Sequence, residues 1–305
     1  MKIFITGATG YIGGSVADRL VREGHAVTGL VRTEAGAKQL QARGMRTVLG
    51  TLDDAEIISR AAREAEAVVD LAEANHPGVV DAIASAVRGS GKCFIHTSGS
   101  GIVATDAKGE AVDSICDEYC AFTPSFPRMV QRAAIDQAVF DCAKQNVRSV
   151  VIRPTMIYGG GHGVRPESAQ VPALIDNAKK AGVGLHIGRG ENYWANVHID
   201  DVVELYLLAL AKAPAGALYY AENGEEQLKN VAAAISRMLG FGGRTRPWSP
   251  QEAEAALGPK AHSSFGSNSR VRGKRSRAEL GWQPMGPPIL EEIERGHYKR
   301  VHRPA

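Results

Sequence analysis

Long apolar runs are missing from this chain of 305 residues. No stretch approaches the roughly 20 consecutive apolar residues that span a bilayer, so a membrane protein is not expected. Neither sign of charge is in excess. With 36 Lys and Arg against 33 Asp and Glu, the net charge is +3, which gives no reason to expect a nucleic-acid or membrane-surface partner. Cysteine is scarce: Cys93, Cys116, Cys120 and Cys142. They form no C-x-x-C pair and no His cluster accompanies them, so no metal is expected and the thiols are expected to be reduced. A basic n-region and cleavage site are lacking at the start, and residues 1–6 read as a strand, so a cytoplasmic location is expected. Repeats and low-complexity tracts are lacking too. What remains is a chain long enough to bury a full core, as one large domain or a large domain with a small lobe.

Apolar runs and helical patterns alternate through the first two thirds. Strands are expected at 2–6, 26–31, 46–49, 67–71, 93–97 and 148–153, with helices near 11–23, 35–43, 54–64, 78–90 and 127–145. Such alternation predicts an α/β fold, a Rossmann-type doubly wound parallel sheet of strand order 3-2-1-4-5-6, with its ligand at the carboxyl ends of the strands. Residues 98–126 interrupt the pattern, and a connection of that length suggests a mobile lid over 103–126. Residues 158–196 and 212–305 are irregular, with short helices near 168–181, 226–239, 250–257, 273–280 and 288–296. The division expected is a dinucleotide-binding core over 1–157 and a mixed region over 158–305. That region returns about 196–211 to the core and otherwise forms a small C-terminal substrate lobe.

The most informative stretch is Ile3-Phe4-Ile5-Thr6-Gly7-Ala8-Thr9-Gly10-Tyr11-Ile12-Gly13. It reads strand, tight turn, helix. Gly7 permits a turn that a Cβ would block, Gly10 lets backbone approach a pyrophosphate, and Gly13 lets the helix pack close to the strand. The helix N-terminus then offers free N–H groups and a positive dipole end to phosphates. Further along, Val31 and Arg32 stand where an acid would hold the ribose hydroxyls of NAD. A guanidinium there suits a 2′-phosphate, with Thr33 adding a hydroxyl, so NADP(H) is the expected cofactor.

The T-G-A-x-G-x-x-G turn resembles that of the extended short-chain dehydrogenases/reductases, the family that includes nucleotide-sugar epimerases and dehydratases. The resemblance covers nearly the whole chain. Gly50-Thr51-Leu52-Asp53 resembles the adenine-edge segment, with Thr51 in place of the first Asp. Asp70-Leu71-Ala72-Glu73 resembles the end of the fourth strand, where Leu71 and Ala72 line the nicotinamide ribose; Glu73 is unexpected there. Ile152-Arg153-Pro154-Thr155-Met156-Ile157-Tyr158-Gly159 is similar to the R-P-x-x-x-Y-G segment. Asn196-Val197-His198-Ile199-Asp200-Asp201-Val202 and Glu279-Leu280-Gly281-Trp282-Gln283-Pro284 are similar to two further family segments. The resemblance implies cofactor contacts from Thr6, Gly7, Thr9, Gly10, Tyr11, Ile12, Gly13, Arg32, Thr33, Thr51, Leu52, Asp53, Leu71, Ala72, Thr97, Arg132, Pro154, Thr155 and Met156.

The family's catalytic Ser or Thr aligns with Gly99, flanked by Ser98 and Ser100, either of which could serve. The family's Y-x-x-x-K pair aligns with Arg128 and Arg132, counted from Ala133-Ala134-Ile135-Asp136. This is similar to an atypical subgroup with basic residues at those positions. Arg132 can hold the nicotinamide ribose. Arg128 cannot act as an ordinary proton donor, but it can stabilise an alkoxide or hold a substrate carboxylate. Ser98, Ser100, a water or Tyr119 remain as proton sources. Tyr158, His162, Arg165, Tyr193 and Trp194 are expected to wall the substrate cleft. The resulting expectation is an NADP(H)-dependent oxidoreductase, a ketone or aldehyde reductase or alcohol dehydrogenase, with a small carbonyl or alcohol substrate. The alternatives are a non-catalytic NADP-binding sensor and a nucleotide-sugar epimerase.

Overall fold

The computed structural model describes residues 1–303. Its strands are β1 (Lys2–Thr6), β2 (Ala26–Val31), β3 (Arg46–Leu49), β4 (Ala67–Asp70), β5 (Cys93–Thr97), β6 (Arg148–Pro154), β7 (Met156–Tyr158), β8 (Gly184–Ile187), β9 (Tyr193–His198), β10 (Ala217–Ala221), β11 (Glu225–Gln227) and β12 (Thr245–Trp248). The helices of the first half are α1 (Tyr11–Arg22), α2 (Glu34–Gln41), α3 (Ala55–Glu64), α4 (Pro77–Val87) and α5 (Pro127–Asp141). Those that follow are α6 (Gln170–Ala181), α7 (Ile199–Lys212), α8 (Leu228–Met238), α9 (Pro250–Leu257), α10 (Lys274–Leu280), α11 (Ile289–Glu294) and α12 (His297–His302). Among the described residues no helix is long and apolar enough to cross a membrane.

The main sheet is parallel and runs β3-β2-β1-β4-β5-β6-β10. Both of its faces are covered, which explains the near-continuous apolar runs of its central strands. Alternate residues serve opposite layers. Ile3 and Ile5 pack with Val16 and Leu20 of α1 and with Val202 and Tyr206 of α7. Phe4 and Phe94 pack on the other side with Ile58 of α3, Ile83 of α4 and Val139 of α5. The seventh strand, β10, pairs Ala217 with Val150 and lies in a segment whose sequence reads as irregular. A five-residue apolar run has too little periodicity to announce a strand; the edge of β6 makes it one. A second core holds the C-terminal lobe together around Trp194, Val231, Ile235 and Trp248.

Residues 104–126 form a strap rather than a free lid. Thr105 and Asn268 bridge, Gly109 N–H donates to Gly266 O at 2.8 Å, and Cys116 N–H donates to Arg270 O at 2.9 Å. The Glu118 carboxylate accepts the backbone N–H groups of Tyr220, Lys274 and Arg275. These partners lie more than 100 positions away in sequence, so local composition gave no sign of them. The expectation of reduced thiols is also corrected: Cys116 and Cys120 are joined by a disulfide, while Cys93 and Cys142 are free and buried. The turn between them brings the two Cα atoms to 5.4 Å, within bonding range.

The strap's partner segment is clamped to the lobe by Glu225 of β11. Arg270 donates to it at 2.6 and 3.0 Å and Arg272 at 3.1 Å. Burial raises the carboxyl pKa, but the two guanidinium groups outweigh that and hold it at about 2. A pKa below the unfolded value contributes stability at neutral pH that is lost as pH falls through the folded value. Glu225→Gln should therefore unfold at lower urea concentration than wild type at pH 7. The gap between the two should close as pH falls from about 4.5 to about 2. A gap that stays constant with pH would show that the carboxylate charge is not what the clamp uses.

Candidate active site

The turn after β1 is built by close approach. Gly7 has φ +72°, and a Cβ there would meet Leu71 O at 2.5 Å. A Cβ on Gly13 would overlap Gly7 O. Gly10 N–H donates to Gly7 O at 2.8 Å, and Gly10 offers no side chain to cap α1. The first N–H groups of α1 therefore remain available to an anion. The Thr6 hydroxyl donates to Asp70 Oδ1 at 2.5 Å and accepts from Leu71 N–H, which pins β4 beside the turn. Tyr11 donates to Gly159 O at 2.8 Å and braces the entrance to the C-terminal lobe. This glycine cradle fits the pyrophosphate of a dinucleotide. Thr9 lies within it.

The neighbouring strand ends carry less built chemistry than their sequence suggests. Arg32 is exposed and makes no ion pair among the described residues. The Thr33 hydroxyl caps α2, accepting from Gly36 N–H at 3.1 Å. Thr51 is bonded to Asp54, Asp53 to His76 Nε2 at 3.1 Å, and Leu52 packs against the α3–α4 core layer.

Beside the turn lies a cavity of about 400 Å³. Ile12, Ala72 and Glu73 line its cofactor side; Ser98 to Gly101 and Pro154–Thr155 form its floor. Arg128, Met129 and Arg132 come from α5, and Gln170, Trp194, Lys260, Ser263 and Ser264 from the lobe. Arg128 Nη2 donates to Glu73 Oε1 at 2.9 Å. Asn75 also donates to that oxygen, and its own Oδ1 accepts from Arg132 Nε at 3.1 Å. Burial first, and then the charge of Arg128, push the Arg132 pKa down.

A buried polar network lies under this floor. Asp136, one turn beyond Arg132, accepts from Ser98 Oγ at 3.0 Å and from Arg153 at 2.8 and 2.9 Å. Arg153 also donates to the Tyr220 hydroxyl at 3.1 Å. His96 Nδ1 bonds Asp70 Oδ2 at 2.8 Å, and its Nε2 stands 3.9 Å from Asp136 Oδ1, too far for a direct hydrogen bond.

Of the residues expected to act on substrate, Ser98, Ser100, Arg128, Arg132 and Trp194 meet at this cavity. Tyr119 does not: it lies on the strap, 73% exposed, with its ring near Arg275. Four of the expected wall residues lie outside this cavity, three of them held by other contacts. Tyr158 is buried and donates to Pro287 O. His162 pairs with Asp200, Arg165 is exposed, and Tyr193 carries Arg270 on its ring at 4.7 Å. Thr97 shares a hydrogen bond with Tyr206, Thr155 donates to Ala221 O, and Met156 packs in the lobe core. Glu73 was visible as an unusual residue at the end of β4. Lys260 had no signal, since it follows an unremarkable loop far along the chain.

A model of the NAD dependent epimerase/dehydratase family matches residues 3–220. Oxidase ucsJ of an Acremonium species is 32% identical to the chain, over 96% of this chain and 95% of its own length. Two solved structures share the fold. The dTDP-glucose 4,6-dehydratase of Bacillus anthracis, in complex with NAD, has a TM-score of 0.77 at 17% identity, covering 99% of this chain and 97% of that one. The UDP-glucose 4-epimerase of Thermotoga maritima, with UDP-glucose, has a TM-score of 0.76 at 19% identity, covering 96% of both. These findings correct two expectations. The expectation of NADP(H) is not borne out: the family matched over residues 3–220 is described as NAD dependent. In the structure Arg32 is exposed, with no protein group holding it toward a 2′-phosphate, and the Thr33 hydroxyl is already used as a cap. The expectation of a carbonyl reductase or alcohol dehydrogenase is corrected as well: the family matched is that of the epimerases and dehydratases.

The buried ion pair yields a stability test. Asp136→Ala leaves Arg153 charged, buried and without its partner, a loss of about 3–5 kcal/mol. Ser98→Ala removes one hydrogen bond to the same carboxylate and should cost about 1 kcal/mol. Urea unfolding of the two variants checks this. Equal losses would mean that Arg153 finds another partner or water.

Proposed function

The chain belongs to the NAD dependent epimerase/dehydratase family, and on that premise we propose that it is an NAD-dependent oxidoreductase acting at a hydroxyl-bearing carbon of a nucleotide-linked sugar. The observation that carries this reading is the continuity of the cleft: Ile12, in the first turn of α1, and Ala72–Glu73, beside the glycine cradle, also line the cavity that holds Ser98, Arg128 and Arg132. Residues 1–157 then hold the cofactor, and 158–305 supply the substrate lobe while returning α7 and β10 to the sheet. The cradle of Gly7, Gly10 and Gly13 would take the pyrophosphate of NAD, which when bound supplies a hydride acceptor. Ser98 is oriented by donating its hydroxyl hydrogen to Asp136, which leaves its oxygen to accept a hydrogen bond from a substrate hydroxyl. In this reading Arg128 and Arg132 stand at the family's Tyr and Lys positions, as in a basic-substituted subgroup. A guanidinium does not give up its proton at neutral pH. Glu73, the single carboxylate among the cavity-lining residues, can take one, and Arg128 fixes its Oε1.

Calorimetric titration of the full chain with NAD and with NADP tests the cofactor. NAD should bind at least tenfold more tightly. Tighter binding of NADP would overturn the reading and restore a role for Arg32.

A further inference from the structure

The end of β5 lacks a side chain at residue 99, and a guanidinium stands in its place. A Cβ on Gly99 would lie 3.2 Å from Arg132 Nη1. Arg132 is therefore not turned solely toward a cofactor ribose; its head lies over the floor, beside Ser98. Arg128 lies one helical turn away on the same face. Two like charges one turn apart are unfavourable without an anion between them. The protein supplies only part of one: Glu73 binds Arg128 directly and reaches Arg132 only through Asn75. Among the described residues, neither Nη of Arg132 nor the ammonium of Lys260 has a hydrogen-bond acceptor in the protein. The cavity thus carries three cations against one carboxylate.

We propose that Arg128 and Arg132 clamp a carboxylate carried by the sugar, so that the substrate is an acidic nucleotide sugar of the uronate class. This rests on the nucleotide-sugar reading above and narrows it. A carboxylate suits the site better than the substrate's diphosphate, because the Arg132 guanidinium stands against Gly99, next to Ser98, where the reacting sugar carbons must come, and Arg128 lines the same cavity. Planar guanidinium forks also match a carboxylate in a way that a lysine cannot. Lys260, across the cavity on the lobe, is left for the more distant phosphate charge.

The test is calorimetric titration of the NAD-loaded full chain with UDP-glucuronate, UDP-glucose and free glucuronate. UDP-glucuronate should bind at least tenfold more tightly than UDP-glucose. Arg132→Ala and Arg128→Gln should each reduce that preference severalfold, and Arg132→Lys should restore only part of it. Circular dichroism checks that each variant is folded, and the conservative Arg132→Lys keeps the test open should the alanine variant unfold. Equal binding of the two nucleotide sugars overturns the clamp and leaves the family reading standing. A preference that survives both arginine substitutions also overturns it. If neither nucleotide sugar binds, the nucleotide-sugar reading fails, and free glucuronate decides the clamp. Binding that weakens severalfold in Arg132→Ala supports a carboxylate site; no binding, or binding unchanged in that variant, overturns it.

Discussion

Asp136 ties the helix that carries both cleft arginines to the sheet beneath them. Its carboxylate is buried and receives Arg153 from β6 and Ser98 from the end of β5. Taking those charges out of water is costly, and the cost is offset only because the carboxylate and guanidinium are matched in geometry and in further hydrogen bonds. Once α5 is fixed there, Arg132 and Arg128 follow at successive turns and have one face to present. Arg153 in turn reaches Tyr220 of β10, so the seventh strand shares the same anchor. The chemistry of the cleft is therefore positioned by a polar junction and not by apolar packing alone.

The second constraint is the closeness of backbone around the first turn. β4 passes near enough to Gly7 to exclude any side chain, and α1 packs down on Gly7 through Gly13. Thr6 and Asp70 bind these two strands at their carboxyl ends. The result is a narrow trough with helix N–H groups on one side and the end of β4 on the other. The lobe closes the far side, and the strap over 104–126 is bonded to residues 266–275 of that lobe region. Through Glu118 and Tyr220 the strap is also linked to β10 and the main sheet.

Much of the fold was legible in the sequence, because it follows from local periodicity. The six strands and five helices of the core lie within a few residues of their expected positions, and their order is the one that right-handed crossovers require. Features that depend on distant partners were not legible. β10 becomes a strand only against β6, and the strap is held by residues 266–275. The Cys116–Cys120 bond depends on a turn that spacing alone does not specify. Among the residues that line the cavity, Ser98, Arg128 and Arg132 were legible from motif positions and Trp194 as an aromatic beside polar groups. Arg32 misled, because a base at a strand end reads the same whether solvated or bound. Glu73 drew notice but acquired a partner only when α5 was in place, and Lys260 depended entirely on how the lobe folds back.

If NAD binds as proposed, one trough, from the glycine turn to the end of β4, takes the dinucleotide. Hydrogen exchange of the full chain with and without NAD tests it directly. NAD should slow exchange over residues 7–14 and 71–75, leaving the lobe segments 170–181 and 228–238 unchanged. Binding of NAD with no added protection at 7–14, or with protection confined to the lobe, would show that the dinucleotide lies elsewhere.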